Sequence, residues 1–150
     1  MKRLKLDKNF IPCLVDDNDE MYPNGIFEFN ITKMIEYIKN NPDNVPVEKV
    51  SVEDCWESLD LNGTYVDSVD ISKPVILAEI SPGRYNVIDG NHRVQKARKN
   101  GLKILPAYKL NPNQHINFLT TKKGYEAYIE FWNSKLKTYA LILKTQGGTK

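Results

Sequence analysis

Asp89-Gly90-Asn91-His92-Arg93 has the residue types and the spacing to do chemistry. It follows Arg84 to Ile88, which reads as a strand, and precedes a helical segment from about His92 to Asn100, with Val94 and Ala97 inward. A helix start leaves several backbone N–H groups without intrahelical partners, and its dipole presents partial positive charge there. Gly90 lets the backbone approach a ligand closely and take dihedrals that a side chain forbids. Arg93 adds a planar, permanently charged fork suited to phosphate oxygens, and His92 adds a second donor whose charge is tunable near neutrality. Gly90, Asn91, His92 and Arg93 therefore make an expected phosphate-binding set at a helix N-terminus. Asp89, at the strand end, would ligand a metal ion or accept a proton.

Each residue also has a plainer role. Gly90 serves turns, Asp89 or Asn91 caps a helix, His92 suits a surface, and Arg93 suits a salt bridge. The ordered conjunction after a strand is what points to a ligand. Glu28, in Asn24-Gly25-Ile26-Phe27-Glu28-Phe29-Asn30, is a second candidate catalytic carboxylate beside Asp89 and His92 if its segment folds over the site; otherwise it is a surface charge. Lys96, Arg98, Lys99 and Lys103 read as a solvated face favoured by the helix C-terminal dipole.

Around this segment the pattern predicts a mixed α+β chain. Phe10 to Val15 reads as a short strand, Asp16 to Glu20 as an acidic loop, and Tyr22-Pro23-Asn24-Gly25 as a turn. Ile31, Met34, Ile35 and Ile38 share one helix face, with Asn30 as N-cap and an end before Pro42. A second helix is expected from Ser51, with Val52, Cys55, Trp56 and Leu59 on one face and a stop at Asn62-Gly63. Tyr65 to Ile71 alternates weakly. Val75 to Ile80 and Arg84 to Ile88, joined by Ser81-Pro82-Gly83, form a hairpin. Asn100-Gly101 stops the next helix, and Ile104 to Tyr108 is a strand that Pro106 places at an edge or near a strand start. A last helix runs from roughly Thr121 to Leu136, its stripe formed by Tyr125, Tyr128, Ile129, Trp132 and Leu136. Residues 1–144 are expected to make one domain, with 145–150 a disordered tail.

The 150 residues carry a net charge of +2, with 27% charged and 41% hydrophobic residues, the balance of an ordinary globular protein. That slight charge is less than a dedicated DNA-coating domain would show. No apolar run approaches the ~20 residues needed to span a bilayer, and no signal-peptide h-region follows the charged start, so no membrane association is expected. Cys13 and Cys55 lack any metal-binding spacing and read as reduced thiols of a cytoplasmic protein, although spacing alone leaves a disulfide open.

Gly83-Arg84-Tyr85-Asn86-Val87-Ile88-Asp89-Gly90-Asn91-His92-Arg93-Val94-Gln95-Lys96-Ala97-Arg98-Lys99-Asn100-Gly101 resembles the strand–G-x-[HR]-R–helix element of the ParB/sulfiredoxin superfamily. Pro74-Val75-Ile76-Leu77 is similar to the strand that precedes it there, and Pro106-Ala107-Tyr108 to the strand that follows. Tyr22-Pro23-Asn24 resembles the segment that helps cover the nucleotide site of ParB domains. The resemblance is concentrated in residues 73–108. It implies a small mixed sheet wrapped by helices, with nucleotide phosphates held at Gly90-Asn91-His92-Arg93. Members include CTP-binding partition proteins, ATP-dependent sulfiredoxins, a free serine kinase and reported nucleases.

Two departures narrow the implication. Sulfiredoxins carry a nucleophilic cysteine where this chain has Asn91, so their chemistry is not expected. Partition proteins carry G-E-R-R and continue into a DNA-binding and dimerisation region, whereas an aromatic-rich helix follows here, which points away from chromosome partition. The expected ligand is a nucleoside triphosphate, ATP among them, with Mg²⁺ at Asp89, and the expected reaction class is phosphoryl transfer or hydrolysis. Two alternatives stand beside it. One is a DNA-binding or nuclease module whose Lys96, Lys99 and Lys103 track a nucleic-acid backbone. The other is a non-catalytic interaction protein that dimerises through the aromatic surface of Tyr125, Tyr128, Phe131, Trp132 and Tyr139.

Overall fold

The run from Val75 to Ile80 sends apolar side chains to both faces of one strand, and the fold is built around it. The computed structural model describes residues 2–25, 27–55 and 69–147. Its elements are β1 (Met21–Asn24), β2 (Phe27–Asn30), α1 (Ile31–Asn40), β3 (Glu48–Ser51), β4 (Val75–Ser81), β5 (Arg84–Asp89), α2 (Asn91–Lys99), β6 (Ile104–Leu110), a short α3 (Pro112–His115) and α4 (Lys122–Gly147). Turns of 3-10 helix lie at Val52–Asp54 and Ile116–Phe118. The class is α+β, as expected. β1 and β2 make an antiparallel pair, and the main sheet has the order β3-β6-β4-β5.

In the main sheet β4 and β5 form the expected hairpin, and α2 carries the chain back so that β6 lies parallel to β4. Ile76, Ala78 and Ile80 face one core, shared with β2, α1 and the aromatic stripe of α4. Val75 and Leu77 face a second core under α2, where Val94 and Ala97 are fully buried. A strand covered on both faces reads as a near-continuous apolar run rather than an alternation.

α1 starts where the sequence places it. The Asn30 side chain accepts from the Lys33 N–H at 3.0 Å and donates to Leu14 O at 3.2 Å and to Asp19 Oδ2 at 2.8 Å. Lys33 pairs with Asp16, so the acidic loop is pinned to the first turn of α1. Asn30 is fully buried. Asn30→Ala is expected to cost roughly 1–2 kcal/mol, chiefly the loss of the cap, read as a lower urea midpoint.

Several expectations are corrected. Phe10 to Val15 is not a strand: the Phe10 ring packs on Tyr125 with centroids 3.9 Å apart, and Cys13 N–H reaches Leu119 O at 2.8 Å as a single tether. Tyr22-Pro23 lies in β1, and the reversal falls one step later, at Gly25 with φ +63°. Within the described residues the helix expected from Ser51 is a 3-10 turn at Val52–Asp54, with Ser51 as its N-cap. The Val52 N–H donates to Lys103 O at 3.0 Å, so the backbone there continues the ladder with β6 before the 3-10 turn. Trp56, Leu59, Asn62-Gly63 and Tyr65 lie outside the described residues. α4 runs to Gly147, past Leu136 and into the expected tail, because Leu136 to Lys144 has good helix formers and neither Gly nor Pro. Cys13 and Cys55 form no disulfide, in line with the expected reduced thiols.

Pro106 is the third residue of β6, but that strand is interior. The Val52–Lys103 bond phases the antiparallel ladder so that Lys49↔Pro106 is a non-hydrogen-bonded pair, and β4 is first paired at Ala107. The missing N–H therefore falls where neither neighbour needs it.

Candidate functional site

β5 ends at Asp89, the chain turns through Gly90, and α2 begins at Asn91. Gly90 sits at φ +106°, ψ +25°, in the left-handed region. A Cβ built there would lie 2.6 Å from Val75 Cγ1 and 2.9 Å from Arg93 Nη2, so glycine is required by both dihedral and space. As N-cap it offers no side-chain acceptor, and no acidic side chain stands in the first turn of α2. That leaves the positive end of the helix without a built-in protein anion from those positions.

Arg93 is held on two sides. Its Nη1 donates to Pro74 O and its Nη2 to Asp89 Oδ2, each at 3.1 Å. The guanidinium has five N–H donors, so these two bonds orient it and leave others for a ligand. The pair is partly open to solvent, with side-chain exposures of 16% and 31%.

The hairpin decides what else gathers here. Ile76 in β4 is opposite Asp89 in β5, so residues just before β4 must stand beside those just after β5. Asp70 and Lys73 accordingly join Asp89, Gly90, His92 and Arg93 around a cavity of about 340 Å³. Asp70 accepts from the Ser72 hydroxyl at 2.6 Å and its N–H at 2.9 Å, bonds that hold its carboxyl below the usual range. Lys96 donates to Val69 O at 2.8 Å, tying the rim of the cavity to α2.

Four of the expected residues, Asp89, Gly90, His92 and Arg93, line this cavity, and Asn91 opens the helix beside them. Glu28 is not among the lining residues. It lies in β2, where its Oε1 accepts from the Thr120 hydroxyl at 2.7 Å. Tyr22-Pro23-Asn24 likewise forms β1 rather than a wall of the cavity. Asp70 and Lys73 were not singled out from the sequence, yet the predicted hairpin, followed to its open end, already implied them.

No group of three or more metal-ligating side chains occurs among the described residues. Two carboxylates, Asp70 and Asp89, do line the cavity, a number that suits Mg²⁺ sharing its remaining positions with water and phosphate oxygens.

A different polar cluster is buried under α4. β4 shifts register between Glu79 and Ser81, which turns the Glu79 and Ile80 carbonyls out of the ladder. The Tyr128 hydroxyl lies 3.0 Å from both, and His115 Nε2 lies 2.7 Å from Glu79 O. A carbonyl can only accept, so Nε2 carries the proton, and buried Nδ1 has no partner. Burial pushes His115 down to about 4, against the opposing pull of the Glu79 carbonyl. This cluster closes a bulge and takes no part in the cavity.

No family model matches the chain. Over 74 residues it is 32% identical to the ATP-dependent L-serine kinase SbnI of Staphylococcus aureus, a match that covers 47% of this chain and 29% of the kinase. The chain thus spans less than a third of that relative. Among solved structures, a free serine kinase in complex with AMP is 27% identical over 43% of this chain and 30% of its own, at a TM-score of 0.37. The truncated chromosome-partitioning protein ParB of Caulobacter crescentus, complexed with CTP-gamma-S, is 17% identical over 55% of this chain and 50% of its own, also at 0.37.

Proposed function

We propose that this chain binds a nucleoside triphosphate, ATP foremost, with its phosphates at the start of α2. The observation that carries the reading is the Gly90 turn. It delivers an uncharged, left-handed helix start into a cavity that also holds Lys73, His92 and an Arg93 pre-oriented by Asp89 and Pro74. Backbone dipole and fixed cations of this kind are what phosphate oxygens require. The sequence match to an ATP-dependent kinase supports the same ligand.

The reaction class we assign is phosphoryl transfer to a hydroxyl. The bond from the γ-phosphorus to the leaving nucleoside diphosphate breaks, a bond to the acceptor oxygen forms, and the hydroxyl proton passes to His92. Positioning and charge neutralisation supply most of the catalysis in such chemistry, so a few residues suffice. Asp70 and Asp89 would hold Mg²⁺ against the phosphates, and the ion would supply further charge neutralisation.

Calorimetric titration with ATP, ADP, CTP and GTP, each with and without Mg²⁺, tests the binding. ATP is expected to bind, and Lys73→Ala to weaken it about tenfold or more, the worth of one charge-assisted contact. Absence of heat with every nucleotide rejects the site. Incubation of the same protein with ATP and L-serine, followed by ³¹P NMR, tests the transfer: a new phosphomonoester resonance is expected, and ATP that stays intact rejects the reaction while leaving the binding claim to the titration.

A further inference from the structure

Residues 69–74 lead into β4 without regular secondary structure, yet three contacts fix their course. Lys96 holds the segment at Val69 O, at 2.8 Å, and Arg93 holds it at Pro74 O, at 3.1 Å. Residues three apart share one side of a helix, so the segment is laid along the side of α2 that carries Arg93 and Lys96. Between those two anchors the chain reverses, with the Lys73 N–H donating to Asp70 O at 3.3 Å. Asp70 and Lys73, which this segment brings to the α2 cavity, are the two ends of that turn.

Asp70 also closes the turn with its side chain. The Ser72 N–H donates to Asp70 Oδ1 at 2.9 Å, the pattern of an Asx turn, which any residue but proline at that position would allow. The Ser72 hydroxyl donates to the same oxygen at 2.6 Å. The turn does not need this second bond. Its consequence lies with the carboxylate: Oδ1 carries both bonds, and among the described residues Oδ2 takes no hydrogen bond. A carboxylate held by one oxygen offers the other in a fixed direction, whereas an unheld one rotates over a broad range. Asp89 is held in the same manner, with Arg93 Nη2 on its Oδ2.

We propose that Ser72 is a positioning residue for Mg²⁺, a role that rests on the reading of the α2 cavity as a site for a nucleotide with Mg²⁺. Its hydroxyl holds the Asp70 carboxylate so that Oδ2 is the oxygen presented to the ion. Hydrogen-bond partners of ligating carboxylates are commonly worth about 10–100-fold in metal affinity. The backbone N–H sets the turn, and the hydroxyl sets the carboxylate.

Calorimetric titration of the full chain with ATP, once with Mg²⁺ in excess and once with EDTA, gives the factor by which Mg²⁺ raises the affinity. Ser72 is exposed, and Ser72→Ala keeps the backbone bond that forms the turn. That variant is expected to reduce the factor about tenfold, with its affinity in EDTA and its urea midpoint close to those of the parent. Ser72→Thr, which restores a hydroxyl, is expected to recover most of the factor, and Asp70→Asn to reduce it at least as far as Ser72→Ala does. An undiminished factor in Ser72→Ala overturns the role, as does a parent that binds ATP no better with Mg²⁺ than with EDTA. An equal loss in both buffers also overturns it, because a bond that merely supports the fold would weaken both alike. A parent that binds no ATP in either buffer overturns the nucleotide reading itself and this role with it, an outcome distinct from the other three.

Discussion

Gly90→Ala is expected to lower stability by roughly 2–5 kcal/mol and to abolish nucleotide binding in whatever folded protein remains. Two terms add. The left-handed dihedral of Gly90 costs an L-residue about 1–2 kcal/mol by itself. The new methyl would also meet Val75 Cγ1 at 2.6 Å and Val75 Cβ at 2.9 Å. Val75 is fully buried and begins the central strand, so it has little freedom to retreat. The remaining neighbour, Arg93 Nη2, is the end of a flexible side chain and can move, but moving it breaks the bonds to Asp89 and Pro74 that orient the guanidinium. Gly101→Ala is the control. It too has a positive φ, +70°, but nothing lies within 4 Å of its added methyl, so only the dihedral term applies. Urea unfolding of both variants reads the difference. A Gly90→Ala protein as stable as Gly101→Ala would show that the close approach to Val75 is not a constraint.

Acidification between pH 6.5 and 4 is expected to remove about 3 kcal/mol of stability through His115 alone. In the folded protein the ring stays neutral down to about pH 4, because a charge would be fully buried and its second N–H, on Nδ1, would meet no acceptor. The unfolded chain takes up the proton near the ordinary value of 6.5. Below that pH the unfolded state binds more protons, so stability falls as pH falls, and the His115 contribution levels off once the folded ring also protonates. Above pH 6.5 both states hold a neutral ring and His115 adds no slope. Urea midpoints at half-unit intervals from pH 7.5 to 4 would show the decline, and His115→Gln is expected to flatten it even though that variant starts from lower stability. Asp19 and Asp70, whose carboxyls are held below their usual range by hydrogen bonds from Asn30 and Ser72 respectively, act in the same direction at lower pH. A decline of equal size in His115→Gln would place its origin elsewhere.

Much of this molecule was legible in the sequence because the signals are local. The Asn30 cap, the stripe of α1, the Ser81-Pro82-Gly83 hairpin and the strand–Gly90–helix turn each depend on residues within a few positions of one another, and short-range backbone geometry is enough to specify them. The same holds for the Asp89–Arg93 pair, four residues apart across a helix start. Of the expected helix from Ser51, the described residues hold a 3-10 turn at Val52–Asp54 that follows β3, and β3 pairs with a strand far along the chain. Glu28 does not line the cavity for a related reason, since its neighbour Thr120 is 92 positions away.

Strand order was decided by tertiary structure alone. Placing β6 between β3 and β4 turns Pro106 into an interior residue and sets a half-buried Lys109 beside Tyr85. Side-chain period along a strand says which face a residue takes, but not which strand lies beside it, because lateral pairing is settled by the packing of whole elements. By itself the sequence determined a mixed α+β chain with a strand–Gly90–helix turn at Asp89 to Arg93. The tertiary structure decided which cations and carboxylates stand around that turn, because Asp70 and Lys73 reach it only through the open end of the β4–β5 hairpin.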